Sequence, residues 1–519
     1  MTPLLTMGEA LSRNARLFPD KCGARGLARS MTFREWNRRS CRLANALLGL
    51  GLAKGDRIAV LAYNCVEWME IYAATAKAGL IAVPINFRLR QEEIRYIVED
   101  CTARAFIVQD DLMESIAGIR GDEAISIGNF IHFGQGDAPA GFASYEALIA
   151  AAADAEPTVL VAAEDTWTLI YTSGTTGKPK GAMRSHGSHA LLNFATLLDM
   201  GFGPGDRCLL VMPLCHANSL NFASAFVYAG ATCCVYDATT FEPEHLLRTM
   251  AETRATFTSL VPTHYVMILG LPGSAKAKYD VDSVTKLLVS SAPVRKDTKL
   301  AIMECFPNSR LFELYGSTEQ GWVTLLRPEE QLTKLGSVGR EFTGSARIKL
   351  LAENGDEAAD GEAGELYSRT PWCFEGYWNL PEKTAEAFRG PYLSVGDIAR
   401  RDSDGYYTLV DRKSNMIISG GENVYPSEVE SMLGGHPKVR DVAVIGRPDP
   451  KWGEAVHAVV VLRAGASASE TELLDWCADR IAGYKRPKSV SFITDEEMPR
   501  TATGKILHRV LKARYDKEA

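Results

Sequence analysis

Apolar and polar positions along the chain alternate between two periods. RIAVLAY at 57–63 is an apolar run of strand length, VEWMEIYAATAKAG at 66–79 reads as a helix, and LIAVPI at 80–85 reads as a strand again. The same alternation returns through DRCLLVMPL (206–214), SLNFASAFVYAG, ATCCVYD, EPEHLLRTMAETR, ATFTSLVP, THYVMILG, TKLLVSS, VRKDTKLAIMECF and RLFELYG. Continuous apolar strands separated by helices predict parallel sheets covered on both faces. Two such regions are expected, about 40–165 and 166–330, with an Ala-rich segment near 147–157 between them. After about 335, glycines punctuate short alternating strands, which predicts a small β-barrel-like unit. The last hundred residues return to mixed α and β, with SEVESMLGGH and SETELLDWCADRIA helical and VRDVAVIG and AVHAVVVL as strands. The fold class is therefore α/β: a large N-terminal domain of two stacked αβα subdomains plus the β unit, and a small α+β C-terminal domain.

Composition narrows the function classes. The 519 residues carry 57 Lys+Arg against 64 Asp+Glu, a net charge of −7. Such a mildly acidic, mixed-sign chain is a poor candidate for binding nucleic acid. No apolar run approaches the roughly 20 residues of a membrane-spanning helix, and no signal peptide is evident. A cytoplasmic protein is expected. The eleven cysteines lack a CxxC pair and read as small buried hydrophobes in a reducing compartment.

The segment Tyr171 to Gly181 is the richest in chemistry. It follows the strand-like WTLIY and holds hydroxyls at Thr172, Ser173, Thr175 and Thr176, glycines at Gly174 and Gly177, and cations at Lys178 and Lys180. Glycines let the backbone aim N–H groups at one centre, while hydroxyls and lysines add donors and charge. This suits a polyphosphate. It is not a Walker A loop, because only two residues separate the glycines and Pro179 follows Lys178.

The loop resembles the signature of the adenylate-forming superfamily, and other motifs follow in order. Tyr315-Gly316-Ser317-Thr318-Glu319 matches its YGxTE element. Gly364-Glu365-Leu366, Gly376-Tyr377-Trp378, Ser394-Val395-Gly396-Asp397, Asp411-Arg412-Lys413 and Pro499 to Lys505 match the later ones. The resemblance implies an acid–CoA ligase: ATP- and Mg²⁺-dependent formation of an acyl-AMP from a small-molecule carboxylic acid, then transfer to CoA. The alternative is a stand-alone adenylating enzyme that delivers the acyl group to a carrier protein or amine. A nucleotide-binding sensor without turnover is the reading from another class.

By resemblance, Thr172 to Lys180 hold the departing phosphates and Thr318 the α-phosphate, and Glu319 is the metal ligand. Tyr315 stacks on adenine beside Gly316 and Ser317, with Glu313 accepting from its amino group. Asp397 and Arg412 hold the ribose. Lys505 bridges carboxylate and phosphate. Ser414 is the hinge between domains 1–413 and 415–519. Ser419, Gly420 and Gly421 line the CoA tunnel after rotation. The stretches NMIISGGENVYPSEVE, KWGEAV and GYKRPK resemble aryl-CoA ligases of the 4-chlorobenzoate type, which adds Trp452, Tyr484 and Arg486 as CoA contacts. His216 walls the acid pocket, whose other residues are Ala217, Asn218, Asn221, His264, Ser290 and Ser291. Buried amides and hydroxyls there favour a short acid or one with a polar substituent. Fourteen residues follow Lys505, so a stand-alone ligase is expected. A second copy of the chain, giving a homodimer, and a lysine acyltransferase acting on Lys505 in an exposed PRTATGK segment complete the partners considered.

Overall fold

A computed structural model of the chain describes residues 6–120, 122, 125, 127–172, 178–291, 294–419, 422–478, 480–501 and 504–516. Among these residues the larger domain is built on one sheet of nine strands and one of eight. The first runs parallel from Arg310–Ser317 through Lys286–Ser290, Phe257–Leu260, Arg207–Leu210 and Thr232–Val235 to Cys22–Arg25, with antiparallel strands at both ends. The second has Ile81–Ile85, Arg57–Leu61, Ala105–Gln109 and Asn129–Phe133 parallel. Thr166–Thr172 lies parallel to Ile81–Ile85 and antiparallel to Lys180–Ser185.

The strands and helices fall where the apolar pattern places them, but the division of the domain does not lie near residue 165. Cys22–Arg25 and Ser30–Thr32 join the nine-stranded sheet, and Thr166–Thr172 and Lys180–Ser185 join the eight-stranded one. Local periodicity marks an element, whereas long-range pairing chooses its sheet. One apolar cluster contains Ile58 and Ala82 from one sheet, Leu210 and Leu288 from the other, and residues of helices Phe33–Gly49, Glu67–Ala78, His186–Met200 and Ala217–Ala229. These helices thus form a layer shared by both sheets. Helix Ala217–Ala229 is buried from Ser219 to Tyr228, as expected of a helix with no polar face.

The β unit is a four-stranded antiparallel sheet of Lys349–Leu351, Ala363–Tyr367, Asp397–Arg401 and Tyr407–Arg412. Its two outer strands do not pair with each other, so among the described residues it is open and not a closed barrel. The smaller domain folds around the hairpin Val439–Asp449 and Gly453–Leu462. Helices Pro426–Gly434 and Glu470–Ala478 cover one face and His508–Tyr515 the other. Eight of the eleven cysteines are buried and all are free thiols. Among the described residues no helix is long and apolar enough to cross a membrane.

Candidate active site

The two domains enclose a cleft of about 1690 Å³. Thr172, Lys178 and Lys180 reach it from the end of one interior strand of the eight-stranded sheet and the start of its neighbour, and Gly316 to Glu319 from the end of a strand in the other. His216 to Asn218 reach it at a helix start, as do Ser290 and Ser291 at the end of a strand. Arg412, Ser414 and Lys505 complete the lining. Residues 147 apart in sequence thereby meet: the Thr172 hydroxyl donates to Glu319 Oε1 at 3.2 Å, and the Tyr377 hydroxyl donates to the same oxygen at 2.9 Å.

Thr172 and Lys180 face each other across the strand pair that closes the phosphate loop. Gly181 leaves room for its neighbours: a Cβ there would lie 2.9 Å from the Leu169 side chain and 3.1 Å from the Tyr171 ring, which would have to shift. Lys180 Nζ sits 4.0 Å from the centre of the Tyr377 ring, and Lys178 Nζ 5.2 Å from that of Tyr96. Burial lowers the pKa of Lys180, partly offset by Glu319. Ser173, Gly174, Thr175, Thr176 and Gly177 lie outside the described residues, as do Gly420 and Gly421.

Asp397 and Arg412 pair across neighbouring strands. Asp397 accepts from Arg412 Nε at 2.9 Å and from the Tyr315 hydroxyl at 2.6 Å. Asp397 raises the pKa of Arg412 further, against desolvation. Tyr315 is itself buried and does not line the cleft; its hydroxyl holds Asp397. Glu313 departs from its expected part. Its carboxylate is buried against Lys299 Nζ at 2.5 Å, away from the cleft, so it is not free to meet an adenine amino group.

Lys505 is half-buried inside the cleft and not exposed as its segment suggested. Gly504, at φ 81°, turns the chain so that the Lys505 N–H reaches Thr501 Oγ1 at 3.1 Å. Burial and then Arg412 lower its pKa, while Asp397 and Asp411 oppose that shift. Its neighbours are therefore the charged pair expected at the ribose.

The expected acid pocket divides. His216 caps helix Ala217–Ala229 with its backbone, and its Nε2 is buried without a partner. Burial lowers its pKa to about 4, so the ring is neutral. Asn218 Nδ2 donates to Ser290 Oγ at 3.0 Å, leaving Oδ1 buried and unpartnered. Ser291 adopts φ 69°, where glycine is usual. Asn221 instead turns toward His189, in the layer between the helices, and does not line the cleft. His264 stacks on Phe241 at 3.9 Å in a separate cavity of about 60 Å³, sharing only the Arg88 and Met212 walls with the cleft.

Ser419, Trp452, Tyr484 and Arg486 stand apart from the cleft. Ser419 is buried and pairs with Gly453, which brings the end of the strand Ile417–Ser419 beside Trp452. Lys451 and Lys488 hold their ammonium groups 4.7 and 5.2 Å from the Trp452 ring. Sequence reasoning passed over these two lysines, as it did Tyr377, Trp322 and Arg184. Trp322 lines the cleft three residues after Glu319, and Arg184 lies fully buried behind Thr318. The one available signal was a bulky ring or a cation inside an otherwise small or apolar motif.

Comparison with known proteins agrees with this geometry. Residues 11–378 match the family described as AMP-binding enzyme, and residues 428–505 match the AMP-binding enzyme C-terminal domain. The chain is 36% identical to a feruloyl-CoA synthase of Amycolatopsis sp over 507 residues, covering 97% of this chain and 98% of that one. It is also 36% identical to the long-chain-fatty-acid–CoA ligase FadD13 of Mycobacterium tuberculosis, over 93% of both chains. Among solved structures, the anthranilate CoA ligase AuaEII in complex with anthranoyl-AMP matches with a TM-score of 0.90 at 28% identity, covering 100% of this chain and 98% of that one.

Proposed function

We propose, for a chain that belongs to the AMP-binding enzymes of the adenylate-forming superfamily and is an acid–thiol ligase of the AMP-forming type, a two-step reaction centred on this cleft. In the first step a carboxylate oxygen attacks the α-phosphorus of ATP, and pyrophosphate leaves. In the second the CoA thiol, its proton lost, attacks the acyl carbon, and AMP leaves. The observation that carries this reading is the convergence of Lys505, Arg412, Thr318, Glu319 and Lys180 on one cleft.

The carboxylate is a poor acyl donor because oxide is a poor leaving group; adenylation replaces it with AMP. Negative charge grows at phosphorus in that transition state, and preorganised cations lower its cost. Thr172 and Lys180, with the loop between them, hold the β- and γ-phosphates. Thr318 donates to the α-phosphate. Asp397 accepts from the ribose hydroxyls while Arg412 fixes its orientation. Lys505 reaches in between the carboxylate and the phosphate, where its ammonium neutralises both. Both protein donors to Glu319 use Oε1, so among the described residues Oε2 has no donor. One carboxylate of this kind, with phosphate oxygens, is the donor set that suits Mg²⁺. When bound, the ion supplies charge neutralisation on the phosphates.

Thiol attack needs the face that Lys505 covers. Rotation about Ser414, in the short turn Lys413–Asn415 at the cleft, carries Lys505 away and brings the 419–422 hairpin in. Trp452, Tyr484 and Arg486 then meet the nucleotide end of CoA.

The test is incubation with ATP, Mg²⁺, CoA and a pooled panel of acids, read by mass spectrometry. A thioester formed together with AMP is expected. Acyl-AMP and pyrophosphate without thioester would move the acceptor to a carrier protein or amine, and no adenylate from any acid would sink the reading.

A further inference from the structure

One wall of the cleft is a ring that cannot easily move. Trp322 lines the cleft yet is only 5% exposed. Its Nε1 donates to Thr196 Oγ1 at 3.0 Å, its face stacks on Phe222 at 5.5 Å, and its carbonyl accepts from Trp372 Nε1 at 3.0 Å. A ring held at its N–H and on one face, on a backbone that is itself pinned, is a fixed wall, not a gate. Trp322 pairs with Gly316 across two strands, so no side chain at 316 separates it from the nucleotide motif. Trp322 therefore stands directly beside the Gly316–Glu319 turn at the cleft.

Beside the wall stands an incomplete hydrogen-bonding group. Asn218 lies one helical turn from Phe222, the residue stacked on Trp322, and residues at that spacing share a helix face. Asn218 lines the cleft and spends its Nδ2 on Ser290, while Oδ1 is buried with no partner. A buried carbonyl without a donor has lost its hydration unrepaid, a loss that a ligand donor would recover.

Resting on the ligase reading, we infer that the acid substrate is compact and polar at its far end: a single-ring acid, or a chain of similar length, whose hydroxyl or amino group donates to Asn218 while its body abuts Trp322. Long alkyl acids are excluded by the wall. Unsubstituted analogues are disfavoured because they leave the Asn218 carbonyl unpaired, and a site built to hydrogen-bond a substituent discriminates strongly against its absence.

The test is ATP–pyrophosphate exchange with benzoate against hydroxy- and aminobenzoates, hexanoate against 6-hydroxyhexanoate, and decanoate. The intact protein should favour a hydroxylated or aminated acid over its parent by about tenfold or more, with decanoate poorest. The variant W322A should raise decanoate about tenfold relative to the best single-ring acid, and N218L should erase the preference for the polar substituent. Each readout is a ratio between acids within one preparation, so partial misfolding of W322A does not mimic it; W322L supplies a second, better-packed variant. A preference for decanoate or for the unsubstituted parents, or unchanged ratios in the variants, overturns the inference and leaves the ligase standing. Absence of exchange with every acid overturns both.

Discussion

The guanidinium of Arg184 has no solvent exposure and donates from Nη1 to the main-chain carbonyl of Thr318 at 2.8 Å. Its Nε reaches Ser188 Oγ at 3.3 Å, and its Nη2 is unpartnered. Burial lowers its pKa, with Glu375 as the nearest opposing charge. Burying a cation costs several kcal/mol, so its position behind the YGSTE turn has a use. It fixes the backbone that presents Thr318 and Glu319, and it lends positive potential to the phosphate side of the cleft.

Replacing it by methionine conserves most of the volume and removes the charge. Relief of the desolvation cost of the buried charge offsets the loss of its hydrogen bonds to Ser188 and Thr318. R184M is therefore expected to unfold close to the parent temperature while its pyrophosphate exchange falls about tenfold or more, a loss of about 1.4 kcal/mol at the transition state. Exchange at the parental rate, or a fall in exchange matched by a fall in unfolding temperature, would reduce Arg184 to a packing residue.

What could be read in the chain divides by range. Thr172, Lys180, Thr318, Glu319, Arg412 and Lys505 sit in motifs whose residue types state their chemistry, and they share one cleft. Glu313 could not be read that way, because its partner Lys299 lies on another element and only folding shows that the pair closes on itself. The same holds for sheet membership, since Thr166–Thr172 pairs with Ile81–Ile85 across 80 intervening positions. Trp322 was hidden for a different reason: an aromatic in an apolar strand is ordinarily core, and its role depends on the small part of the ring that faces the cleft.

Lys505 makes a prediction about pH. Its pKa is lowered by burial and by Arg412, and adenylation needs the charged ammonium. As pH rises through that lowered pKa the proton leaves, so kcat/KM for adenylation, which reports the free enzyme, should decline on the alkaline side before the ordinary lysine value of 10.5. Stability moves the opposite way. In that window the unfolded lysine binds more proton than the folded one, so this group's contribution to stability grows with pH. Pyrophosphate exchange between pH 7 and 10.5 checks the first point. K505R, whose guanidinium does not titrate there, should lose the alkaline limb at a lower overall rate; an unchanged limb would assign it elsewhere.

Ser291 makes a prediction about strain. At φ 69° it occupies the left-handed region, on a strand end that lines the cleft. An L-residue there costs about 1–2 kcal/mol, and glycine removes that cost while losing about 0.5–1 kcal/mol in chain entropy. S291G should therefore stabilise the protein by up to about 1 kcal/mol, and the β-branched S291V should destabilise it. Denaturant midpoints should rank glycine above serine above valine. Any other order would mean that the hydrogen bonding of Ser291 with Ser290 outweighs the backbone.

On the proposed two-step reaction, Trp452 and its flanking lysines should separate the two half-reactions. Trp452 is half-buried at the turn of the long hairpin, its backbone N–H donating to Asp449 Oδ1 at 2.9 Å, with Lys451 and Lys488 beside its ring. A flat ring between two ammonium groups suits a phosphorylated purine, and none of the three lines the cleft. W452A and K488A should thus raise the KM for CoA by about tenfold, roughly 1.4 kcal/mol of lost binding, with pyrophosphate exchange unchanged. Adenylation does not pass through this surface, so a parallel fall in exchange would show that Trp452 acts by holding the smaller domain together. K488A, on an exposed side chain, tells the two apart, because removing an exposed lysine leaves domain packing intact and leaves CoA binding as the step that can respond.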